Sequence, residues 1–240
     1  MSLKLLKVVI HQPDFMPWLG FFNKAKKGDV FICLDSVKMD VKNCGWLKRV
    51  KILVQGKPVW VTIPVTSKNK KTYNVISEIL INRDDRLYLK AYRIIKDSYK
   101  KAPFFKEVFP LVEEYFEENN PKISVRNKKF IKKIFQIMKI YPEWYDSSKL
   151  EVFESKSTLN AELTLAVGGN VYISGEGAVG YLDAKDFSKR NIELVINKFY
   201  PYKFKYRQFN VEDFIPGLSI VDALMNCGFE GTRNLISGEE

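Results

Sequence analysis

Residues 5–35, LLKVVIHQPDFMPWLGFFNKAKKGDVFICLD, limit the fold of this chain more than any other stretch. Leu5, Leu6, Val8, Val9 and Ile10 form a short apolar run that breaks abruptly into polar, proline-punctuated sequence, the pattern of a buried strand leaving into a loop. From Pro17 the period changes: Trp18, Leu19, Phe22 and Ala25 recur at helical spacing until Gly28. A second apolar run, residues 30–34, follows Asp29. Strand, loop, helix and strand make one βαβ unit, which predicts an α/β fold with a central, mostly parallel sheet. The loop leaving the first strand of such a unit lies at the carboxyl edge of the sheet, where open α/β proteins bind ligands. His11, Gln12, Pro13 and Asp14 fall there, and the second strand delivers Asp35 to the same edge. His11 is the single histidine of the chain. A lone histidine is more often structural than catalytic, by roughly 2:1, and the strand-end position shifts that balance toward function.

Residues 36–46 read as a polar loop beside this edge. Two strand patterns follow, residues 47–54 and 58–65, separated by Gln55, Gly56 and Lys57, which predicts a β-hairpin. Arg49 and Lys51 are two apart on its first strand, so they share a face and suit a phosphate or carboxylate ligand; a solvated face is the competing reading. A short basic linker at 67–71 leads to a strand at 75–81. A helical middle then begins at Asp84, with an aromatic stripe from Phe105 to Phe116 that reads as core. In the third helix of this middle, residues 125–140, Lys128, Lys129, Lys132, Lys133 and Lys139 oppose an apolar face. They are the strongest anion-binding candidate outside the first unit.

Beyond Pro142 the α/β alternation resumes, with a short strand at 150–153, a helix at 159–167 and a buried strand at 171–174. Gly175-Glu-Gly177-Ala-Val-Gly180 comes next and matches GxGxxG, but no acidic residue stands at the end of the following strand, 192–196. It reads as a tight glycine loop on the pocket rather than a dinucleotide site. Aromatic and basic residues alternate over 199–209, as an edge strand or a base-stacking surface would. Ser219 caps a helix that Gly228 stops. The chain thus divides into residues 1–82, 83–148 and 149–240 within one compact unit.

Hydrophobic residues make up 46% of the 240 and charged residues 28%, enough to build a core without staples. Three cysteines without CxxC spacing, beside one histidine, argue against a zinc site or a disulfide framework. No apolar run approaches the ~20 residues of a membrane span, and no leader pattern opens the chain, so a cytoplasmic protein is expected. The net charge of +11 invites a polyanionic partner, although the lysines are scattered rather than gathered in a tail.

These segments resemble the WbqC family, small proteins encoded among bacterial and archaeal surface-polysaccharide genes. The resemblance rests on IHQPDFMPWLGFFNKA followed by DVFICLD, on WLKRVKI followed by VWVTIPV, on YISGEGAVGYLD and on LSIVDALMNCG, with the segment YKKAPFF between them. It implies His11, Gln12, Pro13, Trp18, Gly20, Asp35, Ser174, Gly175, Tyr181, Asp183, Ser219 and Asp222 as positions to watch. Where the family usually shows Arg-Asn-Arg-Ile, this chain has Arg49-Val50-Lys51-Ile52, which keeps both cations but not the second guanidinium fork. The first unit is also similar, more remotely, to the opening of nucleotidylyltransferase-like proteins. Their HxGH tetrad is here Pro17-Trp18-Leu19-Gly20, which leaves nucleotide binding in view and both histidines missing.

The expected function is a transferase or ligase acting on a nucleotide-linked sugar, or its amino or acyl donor, in surface-polysaccharide synthesis. In that reading His11 is the general base, and Asp35 orients it or holds Mg²⁺ on a bound nucleotide. Gln12, Trp18, Arg49, Lys51, Ser174, Gly175, Asp183 and Asp222 bind the substrate, Arg49 and Lys51 at its pyrophosphate. A nucleic-acid-binding protein and a non-catalytic scaffold of polysaccharide assembly are the alternatives.

Overall fold

The computed structural model describes residues 5–40, 42, 45–66, 73–154, 156–180 and 182–238. The basic linker at 67–71, Cys44 and Tyr181 lie outside the described residues. β1 (Lys7–His11), α1 (Leu19–Lys26) and β2 (Val30–Cys33) form the βαβ unit, with β1 and β2 parallel and His11 level with Cys33. The chain then leaves the sheet through β3 (Lys38–Asp40), the one-turn α2 (Gly45–Lys48) and the hairpin of β4 (Arg49–Val54) and β5 (Lys57–Thr62). The short strands β6 (Val65–Thr66), β7 (Tyr73–Val75) and β8 (Leu80–Ile81) follow, then the helices α3 (Arg86–Tyr99), α4 (Phe105–Glu117) and α5 (Ile123–Met138). β9 (Glu143–Asp146) returns to the sheet, and α6 (Lys156–Ala166), β10 (Val171–Gly175), α7 (Ala184–Ser188), β11 (Glu193–Asn197) and α8 (Ile220–Ser237) complete the chain.

Five parallel strands in the order β11-β10-β1-β2-β9 make the central sheet. Strand alternation sends Val9, Phe31, Val171 and Ile173 to one face and Val8, Ile10, Val30, Ile32 and Tyr172 to the other. The first face packs on α1, α5 and α8, with the Phe31 and Phe135 rings 5.3 Å apart; the second packs on α6 and α7, with Phe187 stacked on Tyr172 at 5.1 Å. A sheet covered on both sides explains why β1 and β2 read as continuous apolar runs. Among the described residues, no helix is long and apolar enough to cross a membrane.

Several local expectations change. The strand expected at 150–153 is irregular chain, and the sheet instead ends in β9, Glu-Trp-Tyr-Asp, an edge strand whose polar ends hide its signal. The strand expected at 75–81 is broken by a single 3-10 turn at Ile76–Glu78. Residues 199–209 form no strand; a 3-10 turn at Pro201–Lys203 replaces the alternation, since Pro201 cannot donate to a ladder. Gly228 does not end the last helix but kinks it, at φ 69°, and helix continues to Ser237. The kink lets the Phe104 ring approach so closely that a Cβ at Gly228 would lie 2.8 Å from it.

The lysine face of α5 is not free. Lys128 lies 3.0 Å from both Asp35 and Asp146, Lys129 pairs with Glu118 at 2.8 Å, Lys133 reaches Glu114 at 3.9 Å, and Lys132 sits 4.6 Å from the Trp144 ring centre. Carboxylates of α4 and β9 therefore neutralise most of the surface that the sequence marks for anions. The opposite side of α5 carries Asn127, which donates to the carbonyls of Pro13 and Leu47 and accepts from the Tyr115 hydroxyl. It ties the loop after β1 to the helical excursion.

Candidate functional site

From β1 the sheet grows one way through β2 and β9 and the other way through β10 and β11. The crevice between the carboxyl ends of β1 and β10 is thus a topological switch point, the place where open α/β sheets take ligands. A cavity of about 670 Å³ opens there. His11, Gln12 and Asp14 line it from β1 and its loop, Trp18, Gly20 and Lys24 from the start and inner face of α1, and Ser174, Gly175, Glu176 and Gly177 from the end of β10. The volume is that of an ordinary small-molecule site.

Three titratable groups meet at its floor. The His11 ring stands edge-on to Phe21 at 4.6 Å, with Nδ1 3.0 Å from the Gln12 carbonyl oxygen and 3.7 Å from Asp14 Oδ2. With Nδ1–H donating to Gln12, Nε2 is left as an acceptor, a tautomer inferred from the network. Lys24, only 6% exposed, donates to the Ile10 carbonyl oxygen at 3.3 Å. Burial lowers the Lys24 ammonium to about 8 against the pull of Asp14, and burial raises the Asp14 carboxyl to about 7 against the pull of Lys24. Burial and the Lys24 charge push the His11 imidazole down to about 3.

This ordering favours Asp14 and Lys24 over His11 for proton transfer. A general base needs a pKa near the working pH, and an imidazole at about 3 has little proton affinity at neutrality. Asp14 and Lys24 bracket neutrality instead. The sequence placed Asp14 at the sheet edge but gave it no role, because its ordinary pKa is far from 7. Lys24 was missed; its signal was a lysine three residues after Phe21, on the apolar face of α1. Asn160 of α6 and Asn197 of β11, which also line the cavity, left no pattern to read.

The other expected site residues divide. Gln12, Trp18, Lys51, Ser174 and Gly175 line the cavity with His11. Asp35 does not: it is 1% exposed, Oδ1 accepts from Ser147 Oγ and Ser148 N, and Oδ2 accepts from Ser148 Oγ and Lys128. With its oxygens so engaged, it neither orients His11 nor offers a metal position. Arg49 is exposed outside the cavity, over the Trp60 ring at 4.6 Å, where Lys51 also sits at 5.1 Å; Trp60 in turn contacts Trp46 at the cavity wall. The two cations share a face as expected, but only Lys51 reaches the ligand space. Asp183 caps α7 by accepting from Lys185 N, and Asp222 is fully buried under Tyr99, Tyr206 and Gln208. Ser219 caps α8 and donates to the Met16 carbonyl. Among the described residues, no group of three or more His, Cys, Asp or Glu is arranged to hold a metal ion.

Gly20 explains the position of Trp18. A Cβ there would lie 2.4 Å from the indole ring, which packs flat over the glycine and meets Phe199 edge-on at 5.5 Å. Gly20→Ala is expected to displace the indole and destabilise the fold by about 1–3 kcal/mol through overpacking. A lower urea midpoint with a shifted tryptophan emission is the expected result; an unchanged midpoint and spectrum would show that Trp18 packs elsewhere.

The model of the WbqC-like protein family matches residues 12–234, from the loop after β1 into the last helix. The uncharacterized protein Rv1507c of Mycobacterium tuberculosis (strain ATCC 25618 / H37Rv) is similar along almost its whole length: 29% identical over 226 residues, covering 93% of this chain and 95% of that protein. No solved structure matches the chain. The matched region includes Asp14, Lys24 and the glycine loop, and the chain belongs to the WbqC-like protein family.

Proposed function

We propose that this chain is a group-transfer enzyme of surface-polysaccharide synthesis, binding a nucleotide-linked sugar or its amino or acyl donor between β1 and β10. The single observation that carries the reading is the cluster of half-buried His11 with buried Asp14 and Lys24, facing a cavity of about 670 Å³ at the switch point of the sheet. A charged cluster is expensive to bury, and sites that do so tend to be functional. The family's name, which is linked to polysaccharide biosynthesis loci, supplies the setting.

In this reading the Asp14 carboxylate takes the proton of an incoming hydroxyl or amine, which its raised pKa suits. As the nucleophile bonds to the transferred group, the bond to its carrier breaks and the electron pair leaves with the carrier; the Lys24 ammonium stabilises the negative charge that builds on that leaving group. Neutral His11 orients the nucleophile by accepting a hydrogen bond at Nε2. Lys51 and the glycine loop, which both line the cavity, bind the diphosphate. Convergent polar groups also speak against a passive scaffold.

A thermal-shift panel of nucleotides and nucleotide sugars tests the proposal. A ligand at a hundred times its Kd stabilises by about 2.7 kcal/mol, which for a chain of this length raises Tm by roughly 5–10 °C. The shift should vanish in Lys24→Met. A panel in which no compound shifts the wild-type protein would overturn the reading.

A further inference from the structure

The cationic face that the sequence singled out, on α5, is neutralised by carboxylates; the cationic face that it passed over, on α3, is not. At 100° per residue, Arg86, Lys90, Arg93 and Asp97 fall within about 60° of arc. They lie opposite Ala91, Ile95 and Tyr99, the residues that α3 buries. The stripe's one acid, Asp97, is taken by Lys100 at 3.1 Å. Among the described residues, no ion pair engages Arg86, Lys90, Arg93 or Lys101.

These cations do not sit on a plain convex surface. Together with Lys100 they form one wall of a cavity of about 630 Å³, whose other wall is the hairpin turn at Val54 and Gln55 and the loop at Phe209 and Asn210. Gln55 (φ 50°) and Asn210 (φ 58°) are both left-handed, and the position of a Cβ on Gly56 lies 3.4 Å from the Asn210 carbonyl oxygen, so turn and loop close on each other as one rim. A second hollow of about 440 Å³ continues past Lys100 and Lys101 to Phe104 and Lys106. No residue lines both this groove and the cavity at β1.

We propose that this groove binds single-stranded nucleic acid. From Arg86 to Lys101 the stripe runs about 20 Å; Arg86, Lys90 and Arg93 rise about 5–6 Å apart and Lys100 and Lys101 follow about 10 Å on, past Asp97, an elongated array suited to phosphates of an extended strand rather than to one compact anion. Phe209 lines the far wall and Phe104, 36% exposed, lines the adjoining hollow, so an aromatic ring stands beside the cations in each, as base stacking requires. The groove lies between a helix and a turn, with the cations on the helix side.

Fluorescence anisotropy with fluorescein-labelled 12-mers of oligo(dT) and oligo(U) is the test. With four phosphates engaged, affinity should fall roughly 50-fold between 50 and 200 mM salt. The pair Lys90→Glu and Arg93→Glu, both exposed, should weaken binding at least tenfold and flatten the salt slope. The pair Lys185→Glu and Lys189→Glu on α7 changes net charge equally and should cost less than threefold. Phe209→Ala should cost about fivefold or more. Equal losses from the two charge pairs, no binding at 50 mM salt, or duplex DNA or phosphatidylglycerol vesicles bound as tightly as the oligonucleotides would each overturn the proposal. Since the groove shares no residue with the β1 cavity, these variants should leave the nucleotide-sugar thermal shift intact.

Discussion

Asp14→Asn is expected to raise Tm at pH 8 by about 4–8 °C, to leave it nearly unchanged at pH 4, and to lower turnover by roughly 10²–10⁴-fold. The stability effect follows from linkage. Asp14 titrates at about 7 in the fold, above its ordinary value, because burial disfavours the carboxylate more than Lys24 favours it. The unfolded chain releases that proton earlier, so stability falls as pH rises from about 4 to about 7 and stays lowered above it. Three units correspond to about 4 kcal/mol at most. Relaxation of the site reduces this to about 2 kcal/mol, the source of the Tm figure. Asparagine keeps the shape and removes the ionisation. A protein that gains stability and loses turnover in one substitution carries an active-site strain; a Tm at pH 8 that falls or stays level would show that the Asp14 carboxylate belongs to the framework.

Asp222→Ala is expected to cost about 3–5 kcal/mol and lower Tm by 10 °C or more, with Asp222→Asn costing far less. Asp222 is fully buried and accepts from Tyr99 at 2.8 Å, Tyr206 at 2.6 Å and Gln208 at 3.2 Å. Tyr99 Oη also accepts from Leu53 N, so the carboxylate joins α3, the hairpin, the irregular segment before α8, and α8 itself. Alanine leaves the Tyr99 and Tyr206 hydroxyls without an acceptor and takes one of the two that Gln208 Nε2 has, whereas asparagine keeps one oxygen for them. Burial holds the Asp222 carboxyl above its ordinary value despite those three donors. The sign is therefore that of Asp14: its contribution weakens as pH rises, and the asparagine variant should approach wild type most closely at alkaline pH. Chemical denaturation at pH 6 and pH 9 reads both effects. An alanine variant within 1 kcal/mol of wild type would mean that water replaces the carboxylate.

What could be read from the residues was what neighbours in the chain decide. The change of period at Pro17, the stop at Gly28 and the apolar runs on either side specify β1, α1 and β2 almost to the residue. The Gln55-Gly56 turn and the Ser219 cap were equally local. The glycine loop after β10 lies on the cavity because a loop that follows a parallel strand leaves at the same edge as His11.

The roles of individual charges were not legible, because they depend on partners brought from elsewhere. Asp35 and Asp14 are both acids beside strand ends, yet Asp35 meets Ser147, Ser148 and Lys128 from more than a hundred and from ninety-three positions away, while Asp14 meets a buried lysine and a cavity. Lys128 and Lys90 are both helix-surface lysines; β9 and the loop at Asp35 neutralise the first, and a hairpin turn makes a groove before the second. Periodicity reports which side of an element is apolar. Desolvation and charge pairing are set by which elements pack together, so tertiary structure alone decided that the imidazole is pushed down, the Asp14 carboxyl up to about 7 and the Lys24 ammonium down to about 8.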